Sequence, residues 1–566
     1  MQSDERVSIV GQRLRRPDAV QKLTGYERYT DDLALPGMYS AHFVLSPHAH
    51  ATIRGIDVDE AARAPAVVAV VTSRDLPEFA RDDEPSIRAG FFLASERASY
   101  AGQPVAVVVA RTAAEAESAA ELVAVDYDPQ PPVAGIEMAR QFEATPVRPR
   151  TFARASSVAD STKRVVPNVN GSIHHQRGDV ERAFRDAAIC VEQTFDSHGV
   201  HQSYLEPRSV VASAEPNGRL TIYTPTQGQF MVRAALARVL RLAETDIRVE
   251  PMAVGGGFGG KMVLLEPLAA LLAMRFKRPV KLTLTRQQDF LSTTPAPESR
   301  LTLALAADAE GLLTGLRADL WFDTGYFSNS PYQLVAQMIG SFYRIPNIDI
   351  RSTEVLSNRT GTGSYRAPGL TPMMVALETL VDELARSLDL SPLEFRLRNV
   401  AHEGDLMADG TRWPSMDLPA LLREAERSSL WSTPCAVDEG VGLAIGGLRG
   451  GAESASASLR LNADGTLSVM IGSVDLTGTN TGLTQIAAEA FGVSSDQVRV
   501  TTASSDSAPQ FGLTGGSKVL YSVGNAVLEA ARDARAQAFA VAADRLEAGI
   551  DDLELASNRI QVRGAP

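Results

Sequence analysis

The run Val254-Gly-Gly-Gly-Phe-Gly-Gly-Lys261 sets five glycines in six positions between a predicted strand and a predicted helix. A backbone this free of side chains can bring several N–H donors against one anionic group. Two phosphate-binding patterns nearly fit. Gly255-x-Gly257-x-x-Gly260 has the dinucleotide spacing, yet the position about 20 residues on, where an acid should hold the ribose, is Val280. Gly255-xxxx-Gly260-Lys261 resembles a nucleoside triphosphate loop, but a hydroxyl should follow to hold magnesium, and the residue is Met262. A thioether is a poor ligand for that hard cation. Each pattern fails on a specific atom. A tight turn with no ligand explains five glycines less well than a cradle for some other anion.

Other residue types that could do chemistry are sparse. His48-Ala-His50 puts two imidazoles on one strand face, but no third ligand is near, so a structural role is expected. His174-His175 reads as a solvated pair. Cys190 and Cys435 are the two cysteines of the chain. They can form neither a disulfide scaffold nor an iron–sulfur site, which needs four thiolates. Both read as small buried residues. Any electron wiring therefore lies mostly on other chains.

The elements that must position the glycine loop belong to a large globular chain. Its 566 residues are 44% apolar and 22% charged, which excludes a disordered or fibrous protein. The net charge of −13 disfavours a nucleic-acid partner. The longest apolar runs fall short of a membrane span, and the charged start lacks the apolar core of a signal peptide. A cytoplasmic location is the default.

Strands are predicted at Tyr39–Leu45, Ala66–Thr72 and Pro104–Ala110, with a helix over Thr112–Val125, before the punctuation Tyr127-Asp-Pro-Gln-Pro-Pro132. Beyond a polar linker, strands are predicted at Leu220–Thr224, Ile247–Glu250, Val280–Thr285 and Leu301–Ala306. Helices are predicted at Met231–Leu242, Pro267–Phe276 and Pro372–Leu388. After a Gly/Ser-rich shift near residue 431 come strands Ala457–Leu461, Leu467–Gly472 and Val498–Ala503 and helices Gln485–Phe491 and Ala526–Glu547. The fold class is α+β. The expected units are residues 1–135, a linker 136–170, residues 171–430 and residues 431–566.

Seven segments follow one another in a telling order: Arg16-Pro-Asp18 with Lys22-Leu-Thr-Gly25, Leu205-Glu206-Pro207, Thr224-Pro-Thr-Gln227, Val254–Lys261, Tyr365-Arg366-Ala-Pro-Gly369, Gly472–Thr481 and Gly512–Lys518. Together they resemble the molybdopterin-binding subunit of the molybdenum hydroxylases, the xanthine dehydrogenase and aldehyde oxidase family. The resemblance implies an N-terminal α/β hammerhead-like domain followed by molybdopterin-binding α+β domains, the last completed by a partner chain. It implies oxidative hydroxylation of an aldehyde or N-heterocycle with water as oxygen source. The cofactor would be molybdenum-bearing molybdopterin, in the cytosine dinucleotide form, with 2Fe–2S and FAD on partner subunits.

Site roles follow from the resemblance. Gln227, 31 residues before Phe258, would hydrogen-bond the apical oxygen of molybdenum, and Arg366 would stand beside the cavity. Gly256, Gly257, Phe258, Gly259 and Gly260 would cradle the metal–dithiolene end. Thr477, Gly478, Gly515, Gly516 and Ser517 would hold the pterin or phosphate portion. Met262, Tyr365 and Ala367 would line the substrate pocket; no protein side chain is expected to ligate the metal.

Three departures shape that expectation. Met262 replaces the glutamate of purine-oxidising members, which favours less polar substrates. Ala367 replaces the copper-binding cysteine of the carbon monoxide branch. Thr477 replaces a glutamine. No Gly-x-Gly-Glu occurs, so the catalytic glutamate is expected on a second polypeptide docked on Ala526–Glu547, within a complex that also holds iron–sulfur and FAD subunits. A non-catalytic molybdopterin-binding or assembly subunit is the alternative.

Overall fold

The computed structural model describes residues 8–76, 93–148, 166–448, 450, 453–556 and 559–564. Residues 149–165 of the linker predicted over 136–170 lie outside these residues. Of five sheets among the described residues, three organise the core. The first has seven strands in the order Ile247–Pro251, Leu220–Thr224, Ser209–Ala214, Val280–Thr283, Tyr39–Leu45, Pro104–Ala110 and Val67–Thr72. Tyr39 pairs in parallel with Val280, so strands from the first 135 residues share a sheet with strands beyond residue 208. Pro104–Ala110 is buried at every position, which explains its unbroken apolar run. Helices Gln229–Leu240 and Glu266–Phe276 cover this sheet, setting Val232, Leu236, Leu268 and Leu272 against Ile222, Val249 and Leu282.

The second sheet has the order Val169–Arg177, Asn347–Val355, Leu313–Asp323, Glu298–Ala307 and Ile189–Ser197. Helix Leu370–Ser387 lies on it through Met373, Leu377, Leu380, Val381 and Leu384, an i, i+3, i+4, i+7 stripe. The third sheet, Ala457–Leu461, Leu467–Ile471 and Val498–Thr502, carries helices Thr479–Phe491 and Val519–Leu546. None of the helices among the described residues is long and apolar enough to cross a membrane.

Several expectations need correction. The helix predicted over Thr112–Val125 ends at Ala120, and Ala124–Pro129 is a strand paired with Ala51–Asp57. There the alternation Val125-x-Tyr127 overrides the alanine-rich start. Of the expected solvated pair, His174 is exposed and His175 is half-buried. They lie on Val169–Arg177, where His174 Nε2 is 2.6 Å from Asp349 Oδ1 and His175 Nε2 is buried without a partner among the described residues. Cys190 and Cys435 are exposed; Cys190 sits on an edge strand of the second sheet. His48 packs edge-on against Tyr127 at 5.0 Å, and His50 Nδ1 is 3.1 Å from the Pro131 carbonyl. They lie in the link between Tyr39–Leu45 and Ala51–Asp57, not on one strand face.

Candidate functional site

Gln227 follows strand Leu220–Thr224 and immediately precedes the turn into helix Gln229–Leu240. It is 3% exposed and laces two distant loops together. Its Oε1 accepts from the amides of Gly259 (3.0 Å) and Lys261 (3.2 Å), and its Nε2 donates to the Thr514 carbonyl at 2.9 Å. Its own amide donates to Lys261 O at 3.0 Å, and its carbonyl accepts from Thr514 N at 2.8 Å. One side-chain amide hydrogen remains uncommitted.

The other predicted segments join this knot. Arg366 N donates to Phe258 O at 2.8 Å. Thr514 Oγ1 bridges the amide and carbonyl of Val474, both at 3.1 Å. The structure therefore brings the glycine loop, the Tyr365–Ala367 turn, the Gly512–Lys518 turn and the segment after Ile471 into one place.

Two properties of these loops point to a bound group. Among the described residues, the amides of Gly256, Gly257, Phe258, Ala367, Gly515, Gly516 and Ser517 donate no hydrogen bond. Unpaired amides are costly when dry and serve an anion well. One non-glycine residue in each of three loops is also left-handed: Phe258 (φ 52°), Ala367 (φ 59°) and Ser517 (φ 54°). Each costs on the order of 1–3 kcal/mol, and such strain clusters at functional sites. A ligand held by the bare amides would offset both.

The cradle is shaped by close contacts. A Cβ on Gly257 would stand 2.6 Å from Gln227 Oε1, and one on Gly259 would stand 2.8 Å from the Ser364 carbonyl. Phe258 is half exposed at the loop tip. Arg366 is exposed and makes no ion pair among the described residues. Met262 and Tyr365 are half-buried. No group of three His, Cys, Asp or Glu side chains among the described residues could hold a metal. Bare amides beside a neutral carboxamide are the donors an anionic group needs.

The polar end differs from expectation. Gly478 N and Thr479 N donate to Asp475 Oδ1 at 2.6 and 3.0 Å, so a carboxylate already caps helix Thr479–Phe491. Thr477 is exposed. Lys518 Nζ is 2.6 Å from Glu453 Oε2. The open donors here are the amides of Gly515, Gly516 and Ser517, not Gly478.

Residues 24–131 match the aldehyde oxidase and xanthine dehydrogenase a/b hammerhead domain family, and residues 162–400 and 422–566 each match a molybdopterin cofactor-binding domain. The chain belongs to the molybdenum hydroxylase family. This molybdenum hydroxylase chain is 29% identical over 514 residues to the putative xanthine dehydrogenase molybdenum-binding subunit of Escherichia coli K12, covering 86% of this chain and 66% of that protein. It is 28% identical over 599 residues to the nicotine 6-hydroxylase large subunit of Paenarthrobacter nicotinovorans, covering 99% and 72%. The crystal structure of quinoline 2-oxidoreductase from Pseudomonas putida 86 superposes with a TM-score of 0.85 at 29% identity, covering 98% of this chain and 74% of that one. The chain thus spans about two thirds to three quarters of the length of these relatives.

Beneath its glycine loop the molybdenum hydroxylase chain carries a charged layer to which sequence reasoning gave no role. Gln202 and Tyr204 are 3% and 1% exposed, whereas Leu205 is 91% exposed. Gln202 Nε2 donates to the Thr294 and Ser364 carbonyls, both at 2.8 Å. Lys261 Nζ pairs with Glu206 Oε2 at 2.5 Å and lies 4.8 Å over the Tyr204 ring. Tyr204 OH donates to the fully buried Asp289 at 3.1 Å, which also pairs with Arg286. Gln202, Tyr204 and Glu206 alternate in the sequence, but Ser203 between the first two is left-handed (φ 51°), so no regular strand marks the three polar tips.

Burial pushes the Lys261 ammonium down to about 8, against the opposing pull of Glu206. An unfolded lysine titrates near 10.5. Between these values the folded protein binds fewer protons than the unfolded chain, so this group's contribution to stability rises with pH and is flat below about 8. The unfolding free energy of the wild type should therefore gain on that of Lys261→Met between pH 8 and 10, by up to about 1.4 kcal/mol per pH unit. Denaturant titrations at pH 7, 8, 9 and 10 check this; a constant difference contradicts it.

Proposed function

We propose that this chain holds a molybdenum-bearing molybdopterin in the knot around Gln227 and serves the oxidative hydroxylation of an N-heterocycle or aldehyde, with water as oxygen source. One observation supports the reading: three strained loops held together around Gln227 carry seven amides that, among the described residues, donate no hydrogen bond. Bound there, the cofactor supplies the two-electron redox chemistry. The protein supplies position and polarity. The remaining Gln227 N–H can hold a terminal oxygen without competing as a metal ligand. Phe258, Met262 and Ala367 give the entrance an apolar wall, and the free guanidinium of Arg366 can orient a polar edge of the substrate. The names of the nicotine and quinoline enzymes support the N-heterocycle.

Among the described residues, four carboxylates around the loops are engaged, as is Glu453 with Lys518. Glu206 holds Lys261, Asp289 holds Tyr204 and Arg286, Glu266 accepts from Thr224 and Leu264, and Asp475 caps a helix. None is assigned as the base in this reading; a partner polypeptide supplies it. Iron–sulfur and FAD subunits receive the electrons, the pterin carries a cytosine dinucleotide and the complex is cytoplasmic.

The test is purification of the native protein with every co-eluting chain, metal analysis, and turnover of quinoline-like and aldehyde substrates in ¹⁸O-labelled water. About one molybdenum per chain and label in the product are expected. A folded protein without molybdenum, or one holding a nucleoside triphosphate, overturns the assignment. Molybdenum without turnover in the complete complex would instead favour the assembly subunit.

A further inference from the structure

We propose that Glu206 is a positioning residue that sets the curvature of the glycine loop and so keeps its amides bare. The inference rests on the reading that this loop holds the cofactor. Glu206 Oε2 accepts from Gly255 N at 2.7 Å and from Lys261 Nζ at 2.5 Å. The first amide and the last side chain of the loop 255–261 therefore meet on one oxygen atom. Glu206 N also donates to Gly255 O at 3.2 Å, and a Cβ on Gly255 would stand 2.5 Å from Glu206 Cβ. The two backbones are thus in contact, and the carboxylate has little freedom to move away.

The surroundings fix both partners. Pro207 follows Glu206 and restricts its backbone to extended conformations. Lys261 is 1% exposed and its ammonium is seated over Tyr204. In such a dry setting a charge-assisted bond is short and directional, and loss of one partner strands the other. Gln227 fixes the loop from the opposite side through Gly259 and Lys261. With its ends tied to Glu206 and its later half to Gln227, the arc Gly256–Phe258 is left with no internal partner for its amides.

Glu206 Oε1 is buried and has no hydrogen-bond partner among the described residues. This makes Glu206→Gln informative. The glutamine oxygen can take both donors of Oε2, and its NH₂ can occupy the orphaned position. Shape is kept, the charge is removed, and a donor replaces the unpartnered acceptor. Glu206→Ala removes both shape and charge.

The experiment is amide hydrogen exchange on full-length wild type, Glu206→Gln and Glu206→Ala, with molybdenum content measured on the same preparations. In Glu206→Ala, peptides covering 255–261 should exchange at least tenfold faster, while strand Glu298–Ala307 keeps its wild-type rate. Molybdenum per chain should fall at least fivefold, and Glu206→Gln should lie between. Adding Lys261→Met to Glu206→Ala should accelerate the loop no further. Wild-type loop exchange in both variants overturns the proposal; if Glu206→Ala is insoluble, Glu206→Gln decides it. Faster exchange in a protein whose wild type never holds molybdenum would sustain the positioning role and remove the cofactor reading. Molybdenum-loaded wild type with an unresponsive loop would do the reverse.

Discussion

Gly259→Ala is expected to lower molybdenum content at least tenfold in a protein that still folds. Gly259 has φ 102°, where an L side chain is strained by about 1 kcal/mol or more. Its added Cβ would also stand 2.8 Å from the Ser364 carbonyl oxygen and 2.9 Å from the Ser364 carbonyl carbon. Backbone cannot swing aside as a side-chain tip can. The loop must retreat from the Tyr365–Ala367 turn, which breaks the Arg366 N to Phe258 O bond and draws Gly259 N off Gln227 Oε1. Two contacts of the knot fail together, although the sheets beneath are untouched. Gly465→Ala is the control. It has φ 83° with nothing within 4 Å of its Cβ, so it carries the conformational cost alone. Metal analysis and thermal melting of both variants decide the matter. Full molybdenum content in Gly259→Ala would show that the loop does not shape the site.

Much of the knot was legible because its parts are local. Five glycines beside a phenylalanine need no tertiary information to suggest bare amides, and Gln227 stands at a predicted strand end. What stayed hidden was the layer beneath. Hydropathy places Leu205 inside and Glu206 outside, and the fold does nearly the opposite. The inversion follows from Lys261, which is forced inward by the tight end of the glycine loop and needs a counter-charge there. The cap at Gly478 was missed for a related reason. Asp475 lies three residues ahead of it, and whether that carboxylate turns to the helix or to solvent depends on local geometry.

The fold shows the same division. Tyr39–Leu45, Pro104–Ala110 and Leu220–Thr224 were readable to the residue, since each is a short apolar or alternating run between turn signals. Val169–Arg177, Ile189–Ser197 and Asn347–Val355 were not. They are rich in His, Gln, Glu, Asp and Arg, and two of them form the edges of the second sheet, where one face meets water. Their pairing is decided by Leu313–Asp323 and Glu298–Ala307 between them. Nor could sequence foresee the parallel pairing of Tyr39 with Val280 across 241 positions.

Arg396→Leu is expected to destabilise the protein by about 3–5 kcal/mol, the range for stranding one partner of a buried ion pair. Arg396 is fully buried. Its Nε donates to Glu378 Oε2 at 2.9 Å and its Nη1 to Asp382 Oδ1 at 2.7 Å. Glu378 also accepts from Tyr343 OH at 2.6 Å and from Ile445 N at 2.7 Å. One carboxylate thus ties helix Leu370–Ser387, helix Pro392–Asn399 and two loops. Leucine leaves Glu378 buried at 5% exposure without its cation. Glu378→Gln in the same chain removes the stranded charge, so the double variant should recover part of the loss, and the two single losses should not add. Helix Leu370–Ser387 begins directly after the turn that carries Arg366 and Ala367, so loosening it should also raise hydrogen exchange in peptides covering 365–370. Additive losses in denaturant titration would show that the charges act independently, and an unchanged turn would confine the effect to the second sheet.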